Sequence, residues 1–183
     1  MKSLDCIVGD IVHKLINKEI GAIFQGKLEL GPRALGNRSI IADARMDDGK
    51  DRVNIVKNRE WYRPFACSIL EEHAHDWFKM GRLNSSPWMS YAIPVKEDKR
   101  KQIPAVIHED GTCRLQTVNK EQNPLYYDLI SEFYKQTNIP LILNTSFNLA
   151  GQPIVFNPAQ AVDVFLSSEL NFVYFPEIKK VIV

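Results

Sequence analysis

Short apolar, β-rich runs alternate with amphipathic helical stretches along this chain, but without the strict strand–helix–strand order of a parallel doubly wound sheet. That pattern restricts the fold to an α+β (mixed α/β) architecture: a twisted mixed sheet with helices packed on it. Residues 5–18 carry Ile7, Val8, Ile11, Val12, Leu15 and Ile16 at helical spacing, with Ser3 or Asp5 as cap. Strands are expected at 21–25, 39–42, 65–70, 88–95, 140–143, 171–175 and 179–183. Helices are expected at 47–58, 71–78, 123–136 and 158–167, the last two opened by Pro124 and Pro158. Asp110-Gly111 between the runs 103–108 and 112–118 predicts a hairpin. The length of 183 residues, with no repeat or low-complexity linker, fits one domain over 1–183, large enough to fold without a disulfide or structural metal.

Charge excludes some functions. The chain has 23 basic and 22 acidic residues, a net +1, which disfavours nucleic acid or a membrane surface as a partner held by overall charge; a local patch stays open. Cys6, Cys67 and Cys113 are far apart and form no CxxC, which predicts reduced, mostly buried thiols and a cytoplasmic setting. No apolar run approaches the roughly 20 residues of a membrane span, and the first residues lack a signal-peptide core.

Four polar clusters could carry chemistry. In GPRALGNRS (31–39), Arg33 and Arg38 stand in a loop whose glycines let backbone N–H groups approach an anion, and Pro32 fixes φ. A structural turn with solvated arginines is the alternative. Lys57, Arg59 and Arg63 fall within seven residues, at the exit of a helix and the entry of a strand, among Trp61, Tyr62 and Phe65. They are either an anion site or cations at a helix C-terminus. In the strand 112–118, Thr112, Arg114 and Gln116 share a face, which is a site or a solvated surface. The apolar strand 140–143 runs into Asn144-Thr145-Ser146-Phe147-Asn148, small polar residues at a strand end where ligands often bind, or simply a turn. No Lys or Arg occurs in 139–178, so cations serving an anion there must come from the other clusters. His73-x-His75 could ligate a metal but reads as an exposed pair on a helix, so no metal site is predicted. No Walker, dinucleotide-binding, hydrolase-elbow or zincin motif occurs.

Taken in order, GPRALGNRS, Lys57 with RPFA (63–66), IPAV (103–106) with DGTCRLQTV (110–118), NP-x-YY (123–127), LNTSFN (143–148) and GQPIV (151–155) resemble the C-terminal domain of the O-carbamoyltransferase family, over about 20–176. The resemblance implies a YrdC-like fold with a basic concave face. It implies a domain that binds carbamoyl phosphate and ATP with Mg²⁺ and forms carbamoyl-adenylate. Transfer to an acceptor hydroxyl would belong to an N-terminal actin/HSP70-like domain that is absent from this chain and supplied in the same or another chain. By motif, Lys57, Arg63 and Arg114 would be catalytic, with Arg33, Arg38, Asn144 and Ser146 also binding the phosphates. Cys67 stands where the family usually has a small residue, often Pro. The alternative is a non-catalytic YrdC-like module that binds a nucleotide or RNA.

Overall fold

The computed structural model describes residues 1–29, 31 and 33–183. The Pro32 expectation lies outside them. The strands are β1 (Ser3–Asp5), β2 (Gly21–Phe24), β3 (Arg38–Ala42), β4 (Ala66–Leu70), β5 (Ala92–Pro94), β6 (Thr112–Val118), β7 (Leu141–Ser146), β8 (Phe172–Phe175) and β9 (Lys180–Ile182). Among the described residues they form one mixed sheet in the order β1-β9-β8-β2-β3-β7-β4-β6-β5. The β2/β8 and β4/β6 pairs are parallel and the other six pairs antiparallel. The helices are α1 (Val8–Ile16), α2 (Gly49–Val56), α3 (Ala74–Trp77), α4 (Glu97–Arg100), α5 (Pro124–Thr137) and α6 (Pro158–Leu166).

The sequence pattern explains the packing. Ile11, Val12 and Leu15 of α1 are fully buried, and α1 lies against α5, whose Tyr126, Leu129, Ile130 and Phe133 form the matching buried stripe. Neither Ser3 nor Asp5 caps α1: Ser3 and Asp5 belong to β1, and the Asp10 carboxylate instead accepts the Ile7 N–H at 2.9 Å. Asn123 and Asn157 cap α5 and α6 by accepting the N–H groups of Tyr126 and Gln160. Asn138, in the left-handed conformation, ends α5.

The predicted hairpin is the main departure. Residues 104–106 form a 3₁₀ turn, and β6 pairs with β4 and β5 instead. Pro104 has no N–H for a ladder. The segment packs on α2, where Ala105 sits so close to Gly49 that a Cβ on Gly49 would stand 2.8 Å from the Ala105 methyl. The expected strand at 88–95 shrinks to β5, an edge strand that tolerates Pro94, because Met89 turns the chain with a φ of 53°. The expected helix at 71–78 is a 3₁₀ turn, Glu71–His73, followed by the single turn of α3.

Cys6, Cys67 and Cys113 are free and buried, and the Cys67 and Cys113 sulfurs lie 3.4 Å apart between β4 and β6. Among the described residues no helix is long and apolar enough to cross a membrane.

The loop from β2 to β3 is fixed by one glycine. Gly36 has a φ of +99°, and a Cβ there would fall 2.3 Å from the ring of fully buried Tyr126. Gly36→Ala would combine backbone strain with overpacking, so it is expected to cost about 2–4 kcal/mol of stability. Chemical denaturation checks this, and a loss below about 0.5 kcal/mol would contradict the packing.

Candidate functional site

Three neighbouring strands build the floor of the site. In register, Asn144 on β7 faces Ala66 on β4, and Ala66 faces Arg114 on β6. The three side chains therefore stand in one row on one face of the sheet. Ala66 carries only a methyl, which leaves space between the guanidinium and the amide. That space is a cavity of about 130 Å³, lined by Arg33, Arg59, Ala66, Arg114, Asn144 and Ser146 among others.

The β2–β3 loop is tied over this row by buried amides. Asn144, fully buried, donates through Nδ2 toward Ala34 O at 3.2 Å and Ser68 Oγ at 2.8 Å. Gln116 donates to Leu35 O at 3.0 Å and accepts from Ser68 Oγ at 2.6 Å. Tyr126 completes the network by donating to Ser68 Oγ at 3.0 Å. From the opposite side, Glu29 Oε1 accepts the N–H groups of Leu35 and Asn37 at 2.9 and 2.7 Å. These bonds hold the backbone beside Arg33 in place. Asn144 Oδ1 is buried and has no partner among the described residues.

A second, larger cleft of about 670 Å³ adjoins the first, and the two share Arg59 and Ser146. Its lining includes Lys57, Arg59, Glu60, Arg63, Asn148 and Gly151. Lys57, the residue after α2, is buried. Its ammonium donates to Ser146 O, Ser146 Oγ (3.3 Å), Asn148 O (2.9 Å) and Asn148 Oδ1 (3.1 Å). Lys57 thus clamps the turn after β7 from 89 residues away in sequence. Lys57 is therefore held inside the fold and is not a solvated cation at a helix C-terminus. Burial, with the Arg59 charge adding to it, pushes its pKa down to about 7, while the four oxygens favour the charged form.

Arg63 is half-exposed and pairs with Glu60 at 2.7 Å. Arg59 is the residue that sequence reasoning noted within its cluster but did not select. Its Nε donates to Asn54 Oδ1 at 2.7 Å, and its guanidinium lies 4.5 Å over the Phe65 ring. One terminal nitrogen, Nη2, is buried and unpartnered among the described residues. Burial, then Arg63, lowers its pKa to about 10. The available signal was its place two residues after Lys57, with Phe65 nearby to stack on. Burial, then Arg33, also lowers the Arg114 pKa.

Arg38 does not join these cations. It lies on β3 over the Phe24 ring at 3.6 Å and donates to Gln25 O and to Gly26 O (3.2 Å), lining neither cleft. Its expected role on the phosphates gives way to holding the base of the β2–β3 loop. Arg33, Lys57, Arg59, Arg63 and Arg114 therefore share two adjoining clefts, with Asn144 and Ser146 at the floor and Glu60 as the one carboxylate among the described lining residues. Like charges this close are stable only with an anion between them or at the cost of lowered pKa values, so the arrangement suits phosphate groups. Among the described residues no group of three or more His, Cys, Asp or Glu could hold a metal ion.

The Lys57 pKa has a sign that can be tested. Because its folded value lies below the ordinary lysine value, the folded chain binds fewer protons than the unfolded chain between pH 7 and about 10. This group thus makes the free fold more stable as pH rises through that window. Anion binding runs the other way, because the charge is lost. The thermal stabilisation given by pyrophosphate is expected to fall between pH 6 and pH 9; a shift that stays constant or grows would contradict a role for the Lys57 charge.

The chain belongs to the family described as carbamoyltransferase C-terminus, which it matches over residues 12–180. It is 51% identical over 149 residues to nodulation protein NolNO of Sinorhizobium fredii, covering 80% of this chain and 22% of that protein. It is 44% identical over 169 residues to nodulation protein NolO of Bradyrhizobium diazoefficiens, covering 91% and 31%. The chain thus spans less than a third of these relatives' length. Among solved structures, full-length HypF in a phosphate- and nucleotide-bound form is similar at a TM-score of 0.66 and 18% identity, over 92% of this chain and 24% of that one. Sua5 of P. abyssi is similar at 0.58 and 11%, over 92% and 52%. The fold is the mixed, YrdC-like α/β sheet expected from the sequence.

Proposed function

We propose that this chain binds carbamoyl phosphate and ATP and forms carbamoyl-adenylate for O-carbamoyl transfer. The observation that carries the reading is the meeting of five cations on two adjoining clefts at the end of β7, in a member of the carbamoyltransferase C-terminus family. The phosphate- and nucleotide-bound form of HypF, a protein of like fold, adds support.

The chemistry balances with one water. Cleavage of carbamoyl phosphate by water gives inorganic phosphate and carbamate. A carbamate oxygen then bonds to the α-phosphorus of ATP, and pyrophosphate leaves with the electron pair of the broken P–O bond. No nucleophilic side chain is required. Arg33, Arg59 and Arg114 neutralise and orient the charged oxygens, and the enclosed small cleft strengthens their effect. Arg63, with Glu60 holding it, serves the outer cleft. Asn144 and Lys57 fix the two backbone segments against which the phosphates rest. No carboxylate set fits Mg²⁺ among the described residues, so the ion would come with the nucleotide, and no step here passes through it.

In this reading acceptor transfer belongs to an N-terminal actin/HSP70-like domain in the same or another chain, and the protein works in the cytoplasm. Trp61, Tyr62, Trp88 and Tyr91, all more than half exposed and next in sequence to the clefts or near them, suit a covered surface that keeps water from a labile intermediate. The test is calorimetry of the 183-residue chain with carbamoyl phosphate, ATP and a nonhydrolysable ATP analogue, each with Mg²⁺, together with an acceptor assay. Binding of both substrates and no carbamoylated hydroxyl product are expected. Absence of binding would reject the reading, and product from this chain alone would reject the division of labour.

A further inference from the structure

We infer that His108 is a positioning residue for the small cleft: its imidazole pins the Phe65 carbonyl and so sets where Arg59 and the Ala66–Arg114 row stand. His108 is not among the described lining residues of either cleft, so it acts through Phe65 and not on a ligand. The inference rests on the anion-binding reading of the small cleft and adds a residue to it.

The loop between α2 and β4 carries Arg59 and Arg63, and residues 60–64 of it are exposed. Side chains grip three alternate carbonyls along it. Asn54 of α2 donates through Nδ2 to Trp61 O at 3.0 Å and to Arg63 O at 3.2 Å. The third is Phe65 O, which lies 3.0 Å from His108 Nε2. A carbonyl only accepts, so Nε2 carries the proton and donates. Asn54 belongs to the helix that leads into the loop. His108 stands 43 residues beyond Phe65, and its grip joins the loop to the strand that bears Arg114.

The imidazole is itself held in place. His108 N–H donates to Thr112 O at 2.8 Å and Gly111 N–H to His108 O at 2.9 Å, which closes the turn before β6. Nδ1 faces the Thr112 hydroxyl at 3.1 Å, and that hydroxyl donates to Asp110 Oδ1 at 2.7 Å. The same carboxylate oxygen accepts Thr112 N–H at 2.9 Å, and the two bonds hold the Asp110 carboxyl below its ordinary value. Thr112 opens β6 on the face that carries Arg114. Phe65 directly precedes Ala66, which opens β4 and pairs with Arg114. His108 thus bridges the starts of the two strands whose first pair floors the small cleft. Phe65 also carries the Arg59 guanidinium 4.5 Å over its ring, and Pro64, Phe65 and Ala66 all line that cleft. A shift of Phe65 would therefore displace Arg59 and Ala66 together, and a bound anion is sensitive to such misplacement.

Two amide replacements separate this role from that of a turn residue. A Gln side-chain nitrogen reaches the place of Nε2, whereas an Asn nitrogen reaches only that of Nδ1. His108→Gln therefore keeps the donor to Phe65 O, and His108→Asn keeps only the contact with Thr112. Pyrophosphate and carbamoyl phosphate are titrated by calorimetry into the 183-residue chain and its variants, each first shown to be folded by thermal unfolding. His108→Ala and His108→Asn are expected to weaken binding by about five- to tenfold, the order of one hydrogen bond, with His108→Gln within about twofold of wild type. If His108→Ala does not fold, the Asn and Gln variants carry the comparison. Recovery in both amide variants, or in neither, would overturn the inference. Wild-type affinity in His108→Ala would overturn it too and leave the anion-binding reading standing. Failure of wild type to bind either ligand would overturn both.

Discussion

Lys57→Ala is expected to lower the stability of the fold by about 3 kcal/mol or more and to remove anion binding in the larger cleft. The magnitude follows from what the ammonium holds. It is buried and faces two backbone carbonyls and two side-chain oxygens of Ser146 and Asn148. Truncation would leave those oxygens without their charged donor and a void the length of a lysine side chain. The turn after β7 would lose its tie to the end of α2, although Ala150 N–H still bonds to Lys57 O at 2.9 Å. Urea denaturation reads the stability directly. A variant within about 1 kcal/mol of wild type would show that the turn does not depend on the clamp.

Arg114→Ala separates binding from folding. Arg114 lies on β6 with its guanidinium in the small cleft, beside Arg33. Removing it relieves repulsion between like charges, so stability should change by less than about 0.5 kcal/mol. Carbamoyl phosphate or pyrophosphate binding should weaken by about 1.5–3 kcal/mol, the loss of a charge-assisted hydrogen bond. Calorimetry on wild type and variant, each first shown to be folded, checks this. Equal affinities would remove Arg114 from the site.

Local pattern carried much of the architecture, and the reasons for its failures are physical. The stripes of α1 and α5 and the alternation of Thr112–Val118 are properties of adjacent residues, so they were legible. Residues 103–108 read as a strand because they are apolar, but Pro104 and the close packing of Ala105 on Gly49 favour a 3₁₀ turn. β1, with all three residues exposed, carries no hydrophobic signal and exists by pairing with β9. The same distinction runs through the site. Arg114 beside Gln116 was visible in the period of one strand. The burial of Lys57 depends on a turn far along the chain, and nothing near it in sequence reveals its four oxygen partners. Arg38 and Arg33 look alike in one loop, yet strand pairing with Phe24 draws Arg38 away from the clefts. Arg59 and Arg63 are likewise indistinguishable by type; stacking on Phe65 and the bond to Asn54 turn Arg59 into the cation common to both clefts among the described residues.

The central claim is that the two clefts together activate a carbamoyl group on ATP. Pyrophosphate release from Mg·ATP by the 183-residue chain, measured with and without carbamoyl phosphate, tests it most directly. The account predicts pyrophosphate and AMP-linked product only when carbamoyl phosphate is present, with the rate lost in Arg114→Ala. Binding of both substrates without pyrophosphate, or release of ADP in its place, would contradict it.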